Sequence, residues 1–543
     1  MLLSAADVSL AQPTEAVPSP SPSSASSSFS ASPPPTARTL PRMPAVRDYV
    51  TPDYLRKPPS LPPHLEGRRP KALTLAEAIE TSLRRNLAIA FERERVREIE
   101  TARSLALSAF EPTLQANAGR NRRETPPLTR QEGQAGQTLE STEDFWNLSL
   151  RERLPTGTEL RLDFSNSRAK SSLGTAVAPE LFRSGLSLGV VQPLLRDFSF
   201  TGRVQRAPVL RAQFASETAK EDARLRALLT VKATEDAYWS LVESWKTYEV
   251  NVLAYGLAED QLALTRRQIG AGLLPDSDVI AVEGTVAQRQ LAAVRAEAQI
   301  ERAADQLRAL LNLPPGEWEQ PILPVDAPGF VHIELPFADA LAKAESHRPE
   351  FGRARIDLRR IALDLQVAKN ARLPRLDLNG SVGTVGQDQE YERALDQVSE
   401  RKGPQWGVGV TLGWAPLGVG ARAEIRRLES AARNNEIGRE QLLLEMRTQI
   451  REALRAIETA ERQLYASAKF RDLAERSLDV EQRRFLNGLS SNFFIAQRQA
   501  ELAEARLSEL GALIQHEKAS SDLQLATGQL LEARQLKFDL RGG

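Results

Sequence analysis

Asp276, Ser277 and Asp278 in the 543-residue sequence set two carboxylates about a hydroxyl directly after Gly270, Gly272 and Pro275. That order suits the start of a helix, where Asp and Ser accept hydrogen bonds from orphan amides and Pro fits the first turn. The same acidic pair could also hold or select a cation, and both readings stay open at this point. Beyond this group the inventory is thin. His64, His332, His347 and His516 are scattered without ligand spacing, and cysteine is absent, so neither a zinc site nor a thiol nucleophile is expected. No phosphate-binding loop, nucleophile elbow or other catalytic signature stands out, and neither an enzyme nor a cofactor is expected. Trp239 and Trp245 read as packing residues, because Trp245 lies on an apolar helical seam.

The elements that must position the acidic group are long. Residues 209–269 contain no proline and one glycine, Gly256, and predict a helix of roughly 90 Å. Val231, Tyr238, Trp245 and Val252 recur every seven residues, and Leu241, Tyr248, Tyr255 and Leu262 form a second such series, as in a coiled-coil seam. The rod turns at residues 270–278 and returns through Val279, Val286, Ala293, Ile300 and Leu307. A second proline-free rod covers residues 421–485 and turns at Asn487, Gly488, Leu489, Ser490 and Ser491.

Between helical stretches the period changes to two. Trp146, Leu148 and Leu150 alternate with Asn147, Ser149 and Arg151; Leu160, Leu162 and Phe164, then Leu186, Leu188 and Val190, continue the pattern. Trp406, Val408, Val410, Leu412 and Trp414 alternate with Gly407, Gly409, Thr411 and Gly413. Strands near ten residues long with one apolar and one polar face suit a transmembrane β-barrel, with Trp406 and Trp414 as candidate girdle aromatics. Two to four such strands lie in the first half, too few to close a pore alone.

The two halves repeat one plan. Leu75 to Ile79 matches Phe337 to Leu341, and Ala109 to Leu114 matches Ala371 to Leu376, at one constant offset, which indicates internal duplication. The expected organisation is a disordered Pro/Ser-rich leader at 1–72, a first repeat at 73–312, a connector at 313–336, a second repeat at 337–532 and a tail at 533–543. Residues 1–69 of it hold 14 of the 33 prolines. Its first twelve residues resemble the end of a signal peptide, with small residues before a cut near Ala11, which puts the true start upstream. Lys plus Arg equals Asp plus Glu at 71 each, without the basic excess of a nucleic-acid binder.

The segment Leu73-Thr-Leu-Ala-Glu-Ala-Ile79, the duplicated plan, Val191-Gln-Pro193-Leu-Leu195 and the turn Gly272 to Val279 together resemble the TolC-like family of outer-membrane efflux proteins. The resemblance spans residues 72–531. It implies a mainly α fold with transmembrane β-strands, a TolC-like α/β-barrel in which antiparallel coiled-coil helices cross the periplasm and outer-membrane strands are completed by trimerisation. It further implies a homotrimeric exit duct in the outer membrane for small molecules or proteins, in a tripartite efflux or type I secretion system with a periplasmic adaptor and an inner-membrane pump. Adaptor docking carries over onto Gly272, Leu273, Ser277 and Asp278 and onto Gly488, Leu489 and Ser490. In such a trimer Asp276 and Asp278 could form acidic rings that select cations or gate, with helix capping the competing reading. The second turn departs from the acidic pattern, with Asn492, Phe493 and Phe494 where the first has Asp276, Ser277 and Asp278. The competing readings are a soluble coiled-coil scaffold, which leaves the Trp406 strand unexplained, and a periplasmic adaptor, which would have one hairpin rather than two.

Overall fold

Thr74 opens the helix that begins at Leu75 by a reciprocal cap. Its hydroxyl accepts from Glu77 N at 3.2 Å and the Glu77 carboxylate accepts from Thr74 N at 3.0 Å, satisfying two donors that a helix start leaves open. The structure is a computed structural model that describes residues 49–57, 59, 62, 69–126, 138–171, 178–199, 201–272 and 274–536. In chain order it comprises a short helix α1 (Asp53–Arg56), strand β1 (Lys71–Leu73), helices α2 (Leu75–Arg85) and α3 (Leu87–Leu107), strands β2 (Thr113–Thr125), β3 (Leu139–Arg153), β4 (Glu159–Ser171) and β5 (Glu180–Pro193), and the hairpin α4 (Ala207–Gly270) and α5 (Ser277–Leu311). The second half follows with β6 (Ile322–Pro324), α6 (Phe337–His347), α7 (Pro349–Ala371), β7 (Arg375–Asp388), α8 (Tyr391–Ser399), β8 (Pro404–Gly413), the hairpin α9 (Val419–Leu486) and α10 (Asn492–Ala526), and α11 (Leu530–Ala533).

The duplication is visible residue by residue. α2 and α6 have 11 residues each, and α5 and α10 have 35 each. The helical stretch that Thr74 opens divides at Asn86 into α2 and α3. That side chain caps α3 by accepting from Ala88 N at 2.9 Å and donates to Leu310 O at 2.8 Å. Asn312 answers from the end of α5 by donating to Arg85 O at 3.1 Å. Two short helices thus meet end to end beside α4, stitched by two asparagines. In the second repeat Pro349 opens α7 at the matching break, and Gly528, at φ +73°, turns past His347 and Arg348.

The main core gathers where these junctions meet. Val231, Tyr238, Leu241 and Trp245 of the seam are fully buried, while Val252 is exposed, so burial thins toward the hairpin turn. The Tyr238 hydroxyl lies 3.0 Å from Leu73 O and 2.8 Å from an Asp326 carboxylate oxygen, and Trp245 Nε1 donates to Ile322 O at 3.1 Å. Both aromatics hold the parallel pair β1 and β6 against the rod, and Trp239, buried beside them, packs edge-on against Tyr238 at 5.6 Å.

Two expected boundaries fall elsewhere. The leader was expected to be unordered through residue 72, yet Leu55 is fully buried, and Tyr49 and Tyr54 donate to the buried Glu509 carboxylate at 3.0 and 2.7 Å. Two phenols satisfying one buried anion offset the ordering cost that a proline-rich composition alone suggests is unmet. At the other end Arg534, assigned to the tail, pairs with buried Glu235 at 2.8 Å. Residues 1–48, which hold the signal-like segment, lie outside the described residues.

Candidate functional site

Two regions carry the candidate residues, the helical turns and the sheet. At the first turn Gly272 takes φ +72°, a left-handed value that costs glycine little, and its amide donates to Ile269 O at 2.8 Å. Asp276 and Ser277 are exposed and Asp278 is half-buried. The capping expected of this acidic group is not made: Asp276 precedes α5 in helical backbone geometry and its side chain bonds no amide. Leu273 lies outside the described residues. Arg266 and Glu283 tie the two helices together above the turn at 2.7 Å.

The second turn matches in backbone and differs in chemistry. Gly488 also has φ +72°, and Leu489 N donates to Arg484 O at 2.9 Å. Ser490 donates to the Glu481 carboxylate. Asn492 is buried and bonded by Gln261 of α4, which holds the second turn beside the first hairpin. Leu486, Leu489 and Phe493 are then left exposed, Leu489 at 69% and Phe493 at 72%. The sequence reading noted Phe493 and Phe494 without foreseeing this apolar cluster.

At the far end of the rods lies one antiparallel sheet in the order β2, β3, β4, β5, β7, β8. The first repeat supplies four strands, which resolves the count left between two and four. Its register makes the alternation a property of the whole sheet. Leu114, Leu150, Leu162, Leu188, Val382 and Trp406 stand in one row across all six strands. The parallel row through Ala116, Leu148, Phe164, Leu186 and Thr384 lies on the same face. Trp406 is 80% exposed and Trp414 67%, with Val408, Val410 and Leu412 between them. An apolar face of this extent has no soluble-protein rationale unless something apolar covers it.

The opposite face is polar and small. Asn117, Asn147, Ser165, Gly185 and Val385 share one row, and Arg151, Arg161, Gly189, Ser381 and Gly407 another. A cavity of about 760 Å³ opens on this side, lined in part by Thr113, Arg151, Arg161, Asn379 and Ser381. Above the apolar band the outer face turns charged, with Arg120 paired to Asp144 at 2.5 Å and Arg122 to Glu140 at 2.9 Å. Helix α8, which sequence periodicity did not reveal in so short a segment, lies across this upper margin. Tyr391 packs edge-on against Trp146 at 5.4 Å, and a Cβ on Gly386 would collide with Ala394 O, so only glycine admits the helix here.

The histidines read as scattered are partly brought together. His332 Nδ1 and His516 Nε2 lie 2.9 and 3.9 Å from one Glu461 oxygen. Among the described residues no three His, Asp or Glu side chains form a metal-binding group. His64 lies outside the described residues. No described helix is long and apolar enough to cross a membrane.

Comparison with known proteins adds four findings. Residues 340–529 match the family model described as outer membrane efflux protein. The chain is 24% identical over 356 residues to the pyoverdine export outer membrane protein OpmQ of Pseudomonas aeruginosa, covering 65% of this chain and 70% of that protein. In structure it is similar to the CmeC outer membrane channel of Campylobacter jejuni (TM-score 0.60, 14% identity, 84% of this chain and 86% of that one). It is similar also to the MtrE outer membrane channel of Neisseria gonorrhoeae (TM-score 0.58, 17% identity, 84% and 89%). At such identities the structural likeness establishes the fold.

Proposed function

We infer that this chain, a member of the TolC-like family of outer-membrane efflux proteins, is the outer-membrane channel of an efflux system. It is a passive duct whose strands cross the outer membrane and whose rods extend into the periplasm. The observation that carries this reading is the division of one sheet into an apolar face and a polar face over all six strands. Lipid replaces water on the first and solutes pass along the second. Such a sheet cannot leave its edges open in hydrocarbon, so a homotrimer that shares one barrel is the assembly we propose.

The finer assignments follow from the two turns. A periplasmic adaptor docks on Gly272, Leu273, Ser277 and Asp278 and on Gly488, Leu489 and Ser490, linking the duct to an inner-membrane pump that supplies the energy. Exposed Leu489 beside exposed Phe493 supports an apolar contact at the second turn. Asp276 and Asp278, repeated three times round the axis, give a ring of negative charge at the entrance. The cargo is small molecules, as in the relative that exports pyoverdine, or proteins.

The test uses neighbouring residues on opposite faces. Val410→Arg puts a charge on the lipid side, at a cost of about 2–4 kcal/mol per chain near mid-membrane, and should deplete the protein from the outer-membrane fraction. Gly409 has open space where a side chain would start, and Gly409→Arg should insert normally. Equal insertion of both variants would overturn the membrane reading.

A further inference from the structure

The turn that leads out of the sheet into the second rod gathers arginines that no acid matches. β8 ends at Gly413 and Trp414 continues its apolar row. The chain then turns through Pro416 to Gly418, which takes φ +47° and whose amide donates to Ala415 O at 3.1 Å. α9 places Arg422 and Arg426 four residues apart on one face, and Arg372, just past the end of α7, lines the same cavity. We propose that these three arginines form a headgroup site for an anionic phospholipid of the leaflet facing the periplasm. The proposal rests on the outer-membrane channel reading above and adds a lipid ligand and the residues that hold it.

The charge is left open by the fold. A cavity of about 510 Å³ is lined by Arg372, Val419, Arg422, Ile425 and Arg426. A second, of about 690 Å³, shares Arg372 and Val419 with it and extends past Arg196 to Leu373, Trp414 and Leu417. Glu424 is the one carboxylate among the described residues lining either, and Arg427 takes both its oxygens, at 2.8 and 2.6 Å. Arg196 reaches Asp197 at 3.6 Å. The guanidiniums of Arg372 and Arg426 have no partner among the described residues, and Arg422 donates from one nitrogen to Leu417 O. Like charges four apart on a helix repel, and each guanidinium presents a planar fork of donors that fits a phosphate. One bound phosphate relieves the repulsion and fills the forks.

Two of the arginines also have local roles. Arg372 at the C-terminal end of α7 suits the helix dipole, and Arg422 steadies the turn through Leu417. Neither role accounts for Arg426, nor for three cations converging on one cavity.

Position decides which anion the site takes. Trp414, Leu417 and Val419 are exposed and apolar, and they extend the strand face of Trp406, Val408, Val410 and Leu412 down to the start of the rod. The cavities therefore lie where hydrocarbon gives way to water, the level of bilayer phosphates, and arginine reaches that level with its apolar stem in contact with lipid. The phosphate sits among Arg372, Arg422 and Arg426, and the glycerol and the first part of the acyl chains lie along Trp414 and Leu417. A free anion would make no use of that second, apolar cavity. Phosphatidylcholine carries a cation that would face three guanidiniums, so phosphatidylglycerol, with the same phosphate and no cation, is the better ligand.

Native mass spectrometry of the full-length protein, released from detergent containing phosphatidylglycerol or phosphatidylcholine, counts the lipids held per chain. The parent should hold one phosphatidylglycerol per chain at least tenfold more tightly than phosphatidylcholine. The joint variant Arg372→Gln, Arg422→Gln and Arg426→Gln should lose that preference. The same loss of charge further along α9, by Arg439→Gln, Arg447→Gln and Arg476→Gln, should keep it. Arg372→Gln with Arg426→Gln leaves the Leu417 contact in place and should weaken the preference at least threefold, which guards against a disturbed turn. Equal retention of the two lipids by the parent, persistence of the preference in the first triple variant, or its loss in both triple variants would overturn the site. Displacement of the lipid by millimolar inorganic phosphate would make it a site for soluble anions and overturn the lipid assignment. Absence of the parent protein from the outer-membrane fraction would instead sink the channel reading.

Discussion

His516 is sealed between α9, α10 and the connector, with its ring 4.9 Å from Phe330 and neither ring nitrogen hydrogen-bonded. Burial pushes its imidazole below the ordinary value of 6.5, Glu461 opposes that shift and His332 adds to it. A base whose folded pKa is depressed must be neutral in the native state, so its contribution to stability is complete above 6.5. The contribution is lost as pH falls from there through the folded value. Thermal unfolding in detergent should therefore show stability declining below pH 6.5, with this one proton adding a slope of at most about 1.4 kcal/mol per pH unit. His516→Leu removes the titrating group and should flatten that part of the profile. A profile unchanged by the substitution would show that folding does not depress the His516 pKa. Spacing in the sequence could not reveal this group, because His332 and His516 meet only through Glu461, which comes from a third element.

The two hairpin turns show which contacts belong to an element rather than to a residue. Both use glycine at φ +72°, yet Asn492 is drawn inward to Gln261 and turns Phe493 and Phe494 outward, their rings 5.6 Å apart. Leu489 touches solvent, so Leu489→Asp should fold, insert and assemble normally. It should also reduce export at least tenfold if the second turn is an adaptor contact. Undiminished export, measured as resistance of a host that depends on the channel, would remove that assignment. Much of this was legible beforehand: sevenfold rows gave the rods, period-two rows gave the strands, and Gly272 and Gly488 marked the turns. What stayed hidden depends on distant partners. Asn86 breaks a helix because Leu310 lies beside it, Tyr49 and Tyr54 order a proline-rich segment because Glu509 is buried beneath them, and α8 forms against Trp146 and Gly386. Local propensity carries none of these.

At the scale of the molecule, polarity is separated along one axis. A continuous uncovered apolar face lies on the sheet, while α9 buries Met446, Ile450, Ile457 and Leu464 at spacings of four and seven residues and exposes charged residues with scattered apolar ones such as Leu444 and Leu473. With 71 acidic and 71 basic residues, many are matched locally, as in Arg427 with Glu424 at 2.6 Å and Arg483 with Asp479 at 2.8 Å. The rods thus suit water and the sheet suits lipid, which fixes the direction in which the protein stands. α4 has 64 residues and spans roughly 96 Å at 1.5 Å per residue. Strands of the observed lengths, tilted as a closed barrel requires, add roughly 35 Å. Electron microscopy of the detergent-solubilised protein should then show a tapered tube of threefold symmetry about 130 Å long. A detergent belt should surround one end only, because the uncovered apolar face is there. A belt at mid-length, or a compact particle without an axial channel, would mean that the exposed Trp406 face packs against something other than lipid.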